Sequence, residues 1–337
     1  MSGASVPYHL RPHKAVDRRV FVDLLNRIER WRPLNDYVYL SMGAYPLEDH
    51  KLIHRILGIT RLIAFDKNAS VVARQVFNRP IGSCHCIEKT SGDIVTEFDH
   101  VLGQCGFGNP AGVIVWLDYT DPKKLGEQIR EFQSLLDRLS EGDVARVTVN
   151  AHPNELIDAF AGKAPLAEEK RAKQFHGLQS RIKEFLPSWA KDEHMTAADL
   201  PRVISESFAA AALKALPVTS ALTFRPLSVV RYADTAQMLS ITGVVTKRAD
   251  EGEMVARLGL DTWPFRSDSW SDIHNLVVPD LTLRERLFLE REIVATEPDK
   301  IVEALGFDAA GGISVADFID NYRRYYRFYP TLLATEL

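Results

Sequence analysis

Apolar residues recur along this chain at two spacings, and the alternation between them predicts its elements. From Asp17, as N-cap, a helical period runs through Val20, Phe21, Leu24, Leu25, Ile28 and Trp31 until Arg32-Pro33 stops it. Asp36-Tyr-Val-Tyr-Leu-Ser41 is short, aromatic and β-branched, which predicts a strand, with Met42-Gly43-Ala44 as the turn after it. Helical spacing returns through Leu47, Leu52, Ile53, Ile56 and Leu57 and ends at Gly58, a residue suited to a left-handed C-cap. Four more strands are predicted. They are Arg61–Phe65 closed by Asp66, Cys84–Ile87 closed by a turn at Thr90-Ser-Gly-Asp93, Val113–Leu117 closed by Asp118, and Val144–Val149 closed by Asn150 and His152. Helices over Ala69–Phe77 and Pro122–Leu139 lie between them.

Short apolar strands that do not alternate, each followed by a helix, fit a parallel sheet covered on both faces. From Pro153 to Pro217 the pattern is helical and charge-rich, with helices over Lys170–Leu186 and Ala197–Leu216 on either side of Pro187. Leu227–Tyr232 and Met238–Thr246 flank the polar stretch Ala233–Ala236 and read as an antiparallel hairpin. The tail is helical again over Thr282–Ala295, Pro298–Leu305 and Ser314–Leu333. The expected fold class is therefore α/β: a doubly wound, mostly parallel sheet of about seven strands, with an antiparallel hairpin at its edge, a helical insert and a helical C-terminal extension. The expected division is an N-terminal arm and helix over 1–35, an α/β domain over 36–246 with its insert at 153–217, and the helical extension over 247–337.

Composition narrows this picture only modestly. The 337 residues are 46% hydrophobic and 26% charged, near the globular average, which excludes collagen-like and wholly disordered chains. A net charge of −4 argues against coating nucleic acid by bulk charge. Three cysteines make no extracellular disulfide framework, no apolar run approaches the ~20 residues of a membrane span, and residues 1–12 hold no signal peptide. A cytoplasmic protein without membrane contact is expected.

In an open parallel sheet ligands bind beyond the carboxyl ends of the strands. The residues to read are thus Ser41, Met42, Gly43 and Ala44, then Asp66 and Lys67, Gly92 and Asp93, Asp118 and Tyr119, and the stretch to His152. Asp66 follows Gly43 by 23 positions, close to the ~20 at which an acid meets a ribose diol in such folds. A pyrophosphate needs several glycines to approach backbone N–H groups, whereas here Ala44-Tyr-Pro-Leu-Glu-Asp49 follows a single one. Proline and two carboxylates disfavour NAD, FAD and ATP. S-adenosylmethionine, which carries a diol, an adenine edge, a sulfonium and an amino-acid head but no phosphate, suits these residues better. On that reading Asp66 takes the ribose hydroxyls, Asp93 the adenine amino group, and the Ser41–Ala44 backbone the amino-acid portion. The competing reading for each acid is a helix cap.

The order Tyr39-Leu-Ser-Met-Gly43, Leu62-Ile-Ala-Phe-Asp66, Ser91-Gly-Asp93 and Val115-Trp-Leu-Asp118, closed by an antiparallel hairpin, resembles the class I S-adenosylmethionine-dependent methyltransferases. More narrowly, it is similar to uncharacterised bacterial proteins described as O-methyltransferases. The resemblance covers about residues 37–246 and implies a Rossmann-like methyltransferase sheet, with Asp118 and Tyr119 where such enzymes hold the methyl acceptor. The sequence departs from that family in its first loop, which normally carries at least two glycines.

Asp118, Tyr119 and His152 are the candidate catalytic groups, with His50 and His54 behind them. The acceptor's identity is not written in the sequence. Cys84-His85-Cys86 does not read as a metal site, because strand alternation turns His85 away from the thiols, whose expected role is core packing. Phe318, Tyr322, Tyr325, Tyr326 and Tyr329 fall on one helical face, expected to be core or the interface with a protein partner or second copy. Two arginine-bearing clusters, Arg11–Arg19 and Arg323–Arg327, give weak support for nucleic-acid contact, and such clusters are usually solvated. The alternative function is a methyltransferase-like scaffold with little or no activity, serving as a subunit of a larger assembly.

Overall fold

The protein is described from a computed structural model, over residues 12–157, 166–233, 236–307 and 314–329. The sheet is built from β1 (Val38–Ser41), β2 (Arg61–Asp66), β3 (His85–Glu88), β4 (Val113–Asp118), β5 (Val144–Asn150), β6 (Leu222–Ala233), β7 (Gln237–Lys247) and β8 (His274–Leu276). Their order is β3-β2-β1-β4-β5-β7-β6-β8. β1 to β5 run parallel, β7 is antiparallel to both β5 and β6, and β8 lies parallel to β6. The expected doubly wound sheet with its antiparallel hairpin is present, and β8 is an added strand that its three residues gave no periodicity to reveal.

Strand alternation divides the core into two layers. Val38, Leu40, Ile63, Phe65, Val115 and Leu117 face one side, and Tyr37, Tyr39, Leu62, Ile114 and Trp116 face the other. The first layer is covered by α4 (Ser91–Thr96), α5 (Phe98–Gln104), α6 (Leu125–Leu136), α7 (Ala167–Ile182) and α8 (Leu200–Ala215). The second is covered by α1 (Pro12–Ile28) and α2 (Glu48–Leu57), with α9 (Glu251–Leu258), α10 (Leu283–Glu292), α11 (Pro298–Leu305) and α12 (Val315–Tyr325). α3 (Ala69–Asn78) flanks the β2–β3 end, and Gln75 is its buried residue. Fully burying each large apolar side chain contributes roughly 1.5–3 kcal/mol. None of the described helices is long and apolar enough to cross a membrane.

Three sequence expectations change. Asp17 does not cap α1, which begins five residues earlier at Pro12; it is buried and ion-paired with Arg146 of β5. Thr90-Ser-Gly-Asp93 is not a turn but the start of α4, a capping box in which Thr90 and Asp93 bond each other's backbone N–H. The first basic cluster is not solvated: Lys14 and Arg18 are buried, and Arg19 donates to the Phe328 and Tyr329 carbonyls. The aromatic stripe packs into the chain's own core, where Tyr325 stacks on Phe265 and Phe318, Tyr322 and Tyr329 are buried. Arg11, the hairpin tip at 234–235 and the 330–333 end of the last predicted helix lie outside the described residues.

Candidate active site at the carboxyl ends of the strands

A cavity of about 850 Å³ opens where β1, β2, β3 and β4 end, roofed by the start of α6. Met42, Ala44 and Tyr45 line it from the β1–α2 loop, Phe65 to Asn68 from β2, and Thr90 and Ser91 from the start of α4. Asp118 to Pro122 line it from β4, and Lys124, Glu127, Gln128 and Glu131 from above. This is the crevice where parallel sheets bind ligands, with a volume within the range of small-molecule sites, ~300–1,000 Å³.

The first loop is shaped by internal packing. Leu47 takes a left-handed conformation (φ 53°) at the start of α2, and its side chain occupies the space a Cβ on Gly43 would need. Glycine at 43 is therefore required by Leu47 and His50, and the Gly43 carbonyl accepts from Gln75 Nε2. Ser41 is buried and donates to Asp49 Oδ2 at 2.7 Å. Arg74 lies over the Tyr45 ring at 3.4 Å from its centroid and holds it at the rim.

Asp66 stands half-buried at the end of β2, where Oδ1 accepts the Asn68 N–H at 2.8 Å and Asn68 in turn caps α3. Lys67 is exposed beside it. Asp93 does not line the cavity. Its carboxylate accepts from Thr90 N and Oγ1, bonds that lower its pKa. Gly92 lies between, with Glu131 Oε1 3.4 Å from where a Cβ would stand.

Asp118 ends β4 in an ion pair with Lys14, and its Oδ1 is buried without a protein partner. Tyr119 donates to Glu131 Oε2 at 2.5 Å. Burial and the Glu131 charge push its hydroxyl well above the ordinary phenol range, so Tyr119 is a proton donor at neutral pH rather than a base. His152 caps the short 3-10 turn at Pro153, where Nδ1 accepts the Asn154 N–H at 3.2 Å. Neutral His152 therefore carries its proton on Nε2, and it does not line the cavity. The structure thus gathers Met42, Ala44, Asp66, Lys67, Asp118 and Tyr119 into one chamber and leaves Ser41, Asp93 and His152 in supporting bonds outside it.

Sequence reading missed Lys14, Gln128 and Glu131. Glu127, Gln128 and Glu131 sit at i, i+1 and i+4 on the helix that follows Asp118, so a polar stripe on the face meeting the strand ends was the available signal. Gln128 is buried; Nε2 donates to the Asp121 carbonyl at 2.6 Å and Oε1 has no protein partner.

A family model described as "Putative O-methyltransferase" matches residues 6–337. The chain belongs to this O-methyltransferase family. No curated protein matches it. Among solved structures it is similar to Trm1 from Pyrococcus horikoshii with S-adenosyl-L-methionine, at TM-score 0.41 and 11% identity over 75% of this chain and 60% of that one. An S-adenosylmethionine-dependent methyltransferase from Anabaena variabilis matches at TM-score 0.38 and 10% identity, over 69% and 86%. LepI in complex with SAH and a substrate analogue matches at 0.33 and 10%, over 63% and 43%. The chain spans less than two thirds of the Trm1 and LepI chains.

Proposed function

We propose that the cavity at the ends of β1 to β4 binds S-adenosylmethionine and that the protein transfers its methyl group to an oxygen acceptor. The observation that carries this reading is the wall itself: Asp66, Asp118, Asp121, Glu127 and Glu131 enter one chamber with the lysines Lys67, Lys89 and Lys124. Lys124 and Lys89 are paired with Glu127 and Glu97 at 3.0 and 2.8 Å and Asp118 with Lys14, which leaves Asp66, Asp121 and Glu131 against Lys67, so the chamber suits a cationic ligand without phosphates. The orphaned acceptors Asp118 Oδ1 and Gln128 Oε1 fit a ligand rich in N–H and O–H donors.

When bound, S-adenosylmethionine supplies a methyl group activated by a sulfonium. Asp66 would hold the ribose hydroxyls, Met42 and Ala44 the amino-acid end, and Asp118 the ammonium or the acceptor. Lys14 fixes the Asp118 carboxylate, and the Tyr119–Glu131 bond closes the far side of the chamber. Methyl transfer by in-line displacement depends mainly on such positioning, worth up to ~7–11 kcal/mol in well-oriented systems.

Calorimetry with S-adenosylmethionine and its demethylated product, S-adenosylhomocysteine, tests the reading. Binding that Asp66→Ala weakens about tenfold supports it, in keeping with a lost charge-assisted bond. No heat at millimolar ligand, with Asp66→Ala indistinguishable from the unaltered protein, would replace it with the scaffold reading.

A further inference from the structure

Beneath the first loop lies a group of buried polar side chains that no step above uses. Asp49 Oδ2 accepts from Tyr39 Oη and Ser41 Oγ, each at 2.7 Å. Asp49 Oδ1 faces His50 Nδ1 at 3.2 Å, and His50 Nε2 faces the Ile63 carbonyl at 3.1 Å. A carboxylate and a carbonyl can only accept, so both imidazole nitrogens must carry protons. His50 is wholly buried, which makes this an interior imidazolium paired with a carboxylate. The bonds tie together β1, β2 and α2, the elements that frame the β1–α2 loop.

We infer that the Asp49–His50 pair positions the β1–α2 loop for ligand binding, holding the cavity's first wall in a fixed shape without the extra glycines of a phosphate cradle. Three contacts connect the pair to that wall. Ser41, the last residue of β1, is bonded to Asp49; Gly43 lies against the ring, where a Cβ would stand 3.0 Å from His50 Cε1; and the Tyr39 ring meets the imidazole edge-on at 5.0 Å. Met42 and Ala44, on either side of Gly43, line the cavity. The groups facing the pair are Tyr39 and Ser41 from β1, the Cys86 thiol of β3, the Cys84 thiol just before that strand and, towards Asp49, Arg18 from α1. Burial alone would favour a neutral His50. The Asp49 charge and hydrogen bond, with the Ile63 carbonyl, outweigh it and raise the imidazole above its ordinary value. Loss of that proton removes one of the two ring bonds, either the one to Asp49 within α2 or the one that ties α2 to the Ile63 carbonyl of β2, and so loosens the support beneath the loop.

The functional readout of this inference rests on the cavity being a S-adenosylmethionine site; its structural readout does not. Nitrogen-15 correlation spectra of the full chain at pH 7.5, where an ordinary histidine with pKa ~6.5 is largely neutral, should show His50 protonated on both nitrogens. A neutral ring there overturns the inference. Calorimetry with S-adenosylhomocysteine should show at least tenfold weaker binding for His50→Gln and Asp49→Asn, with melting temperature followed in parallel. Affinity of the unaltered protein should fall as pH rises through the His50 titration, and His50→Gln should lack that limb. Equal affinity or an identical pH profile in the variant overturns it. Should both variants fail to fold, Ser41→Ala, which removes one bond to Asp49, is expected to weaken binding about threefold, and no change counts against the inference. If the unaltered protein binds no S-adenosylhomocysteine, the proposed function fails and amide exchange decides the positioning role. Faster exchange at residues 42–45 in His50→Gln upholds it, and unchanged exchange rejects it.

Discussion

Tyr119 Oη and Glu131 Oε2 stand 2.5 Å apart, joining the end of β4 to the middle of α6 across the cavity. The tyrosine is buried and Glu131 is half-buried, so each needs the other: removing the hydroxyl takes from Glu131 Oε2 the donor that Tyr119 gives it. Tyr119→Phe is expected to weaken S-adenosylhomocysteine three- to tenfold. Glu131→Ala should weaken it more, whereas Glu131→Gln, which still accepts from Tyr119, should lie close to the unaltered protein. Titration calorimetry on the three variants checks the order.

Arg146 and Asp17 form an ion pair with side chains 3% and 1% exposed, its guanidinium between the rings of Phe21 and Trp116 at 4.7 and 4.6 Å. Removing one partner of a buried pair leaves an uncompensated charge. Arg146→Met should therefore cost about 3–5 kcal/mol in urea unfolding, and the Asp17→Asn, Arg146→Met double variant should recover much of the loss.

Asp143 is buried beneath the loop before β5, accepting from Val113 N and Ser140 N at 2.8 and 2.7 Å. Burial outweighs these bonds and raises its carboxyl to about 6. The folded state then binds this proton more tightly than the unfolded chain does, so its contribution to stability falls as pH rises from about 4 to about 6. Asp143→Asn should flatten that part of the stability profile. Unfolding free energies measured at half-unit intervals of pH check the slope.

Gly126 lies where α6 meets the end of α7, and a Cβ there would run into the Arg181 carbonyl. The Arg181 guanidinium straps the same junction, donating to the Pro122, Glu155 and Leu156 carbonyls at 3.1, 2.9 and 2.8 Å. Gly126→Ala should destabilise the fold by about 1–3 kcal/mol, the usual range for overpacking. It should also weaken ligand binding, because Glu127 and Gln128 follow directly; thermal melts and calorimetry separate the two effects.

The parallel strands were legible because both of their faces are buried, which writes them as unbroken apolar runs such as Val113-Ile-Val-Trp-Leu117. Gly58 was legible for a related reason: its left-handed C-cap leaves a residue-type signature. Thr90-Ser-Gly-Asp93 misled because the same residues serve a turn and a capping box, and only the apolar Ile94 and Val95 behind them tip the choice to a helix. Glu131 left a local trace, the polar stripe it shares with Glu127 and Gln128 on the helix after β4, whereas the pairing of Lys14 with Asp118 left none. Lys14 reaches the site from a helix 104 residues before Asp118, and nothing local records such a meeting.

The strand order has a last consequence for how the molecule behaves in a crowded solution. β8 caps β6 and leaves the sheet bounded by β3 at one side and β8 at the other, strands of four and three residues. The long hairpin strands β6 and β7, twelve and eleven residues, are both interior. β8 pairs with β6 over Val230–Tyr232, and Ser267 bonds the Leu227 carbonyl and the Val229 N–H beside it, so the tail shields that part of the hairpin's outer edge from pairing with a stranger's strand.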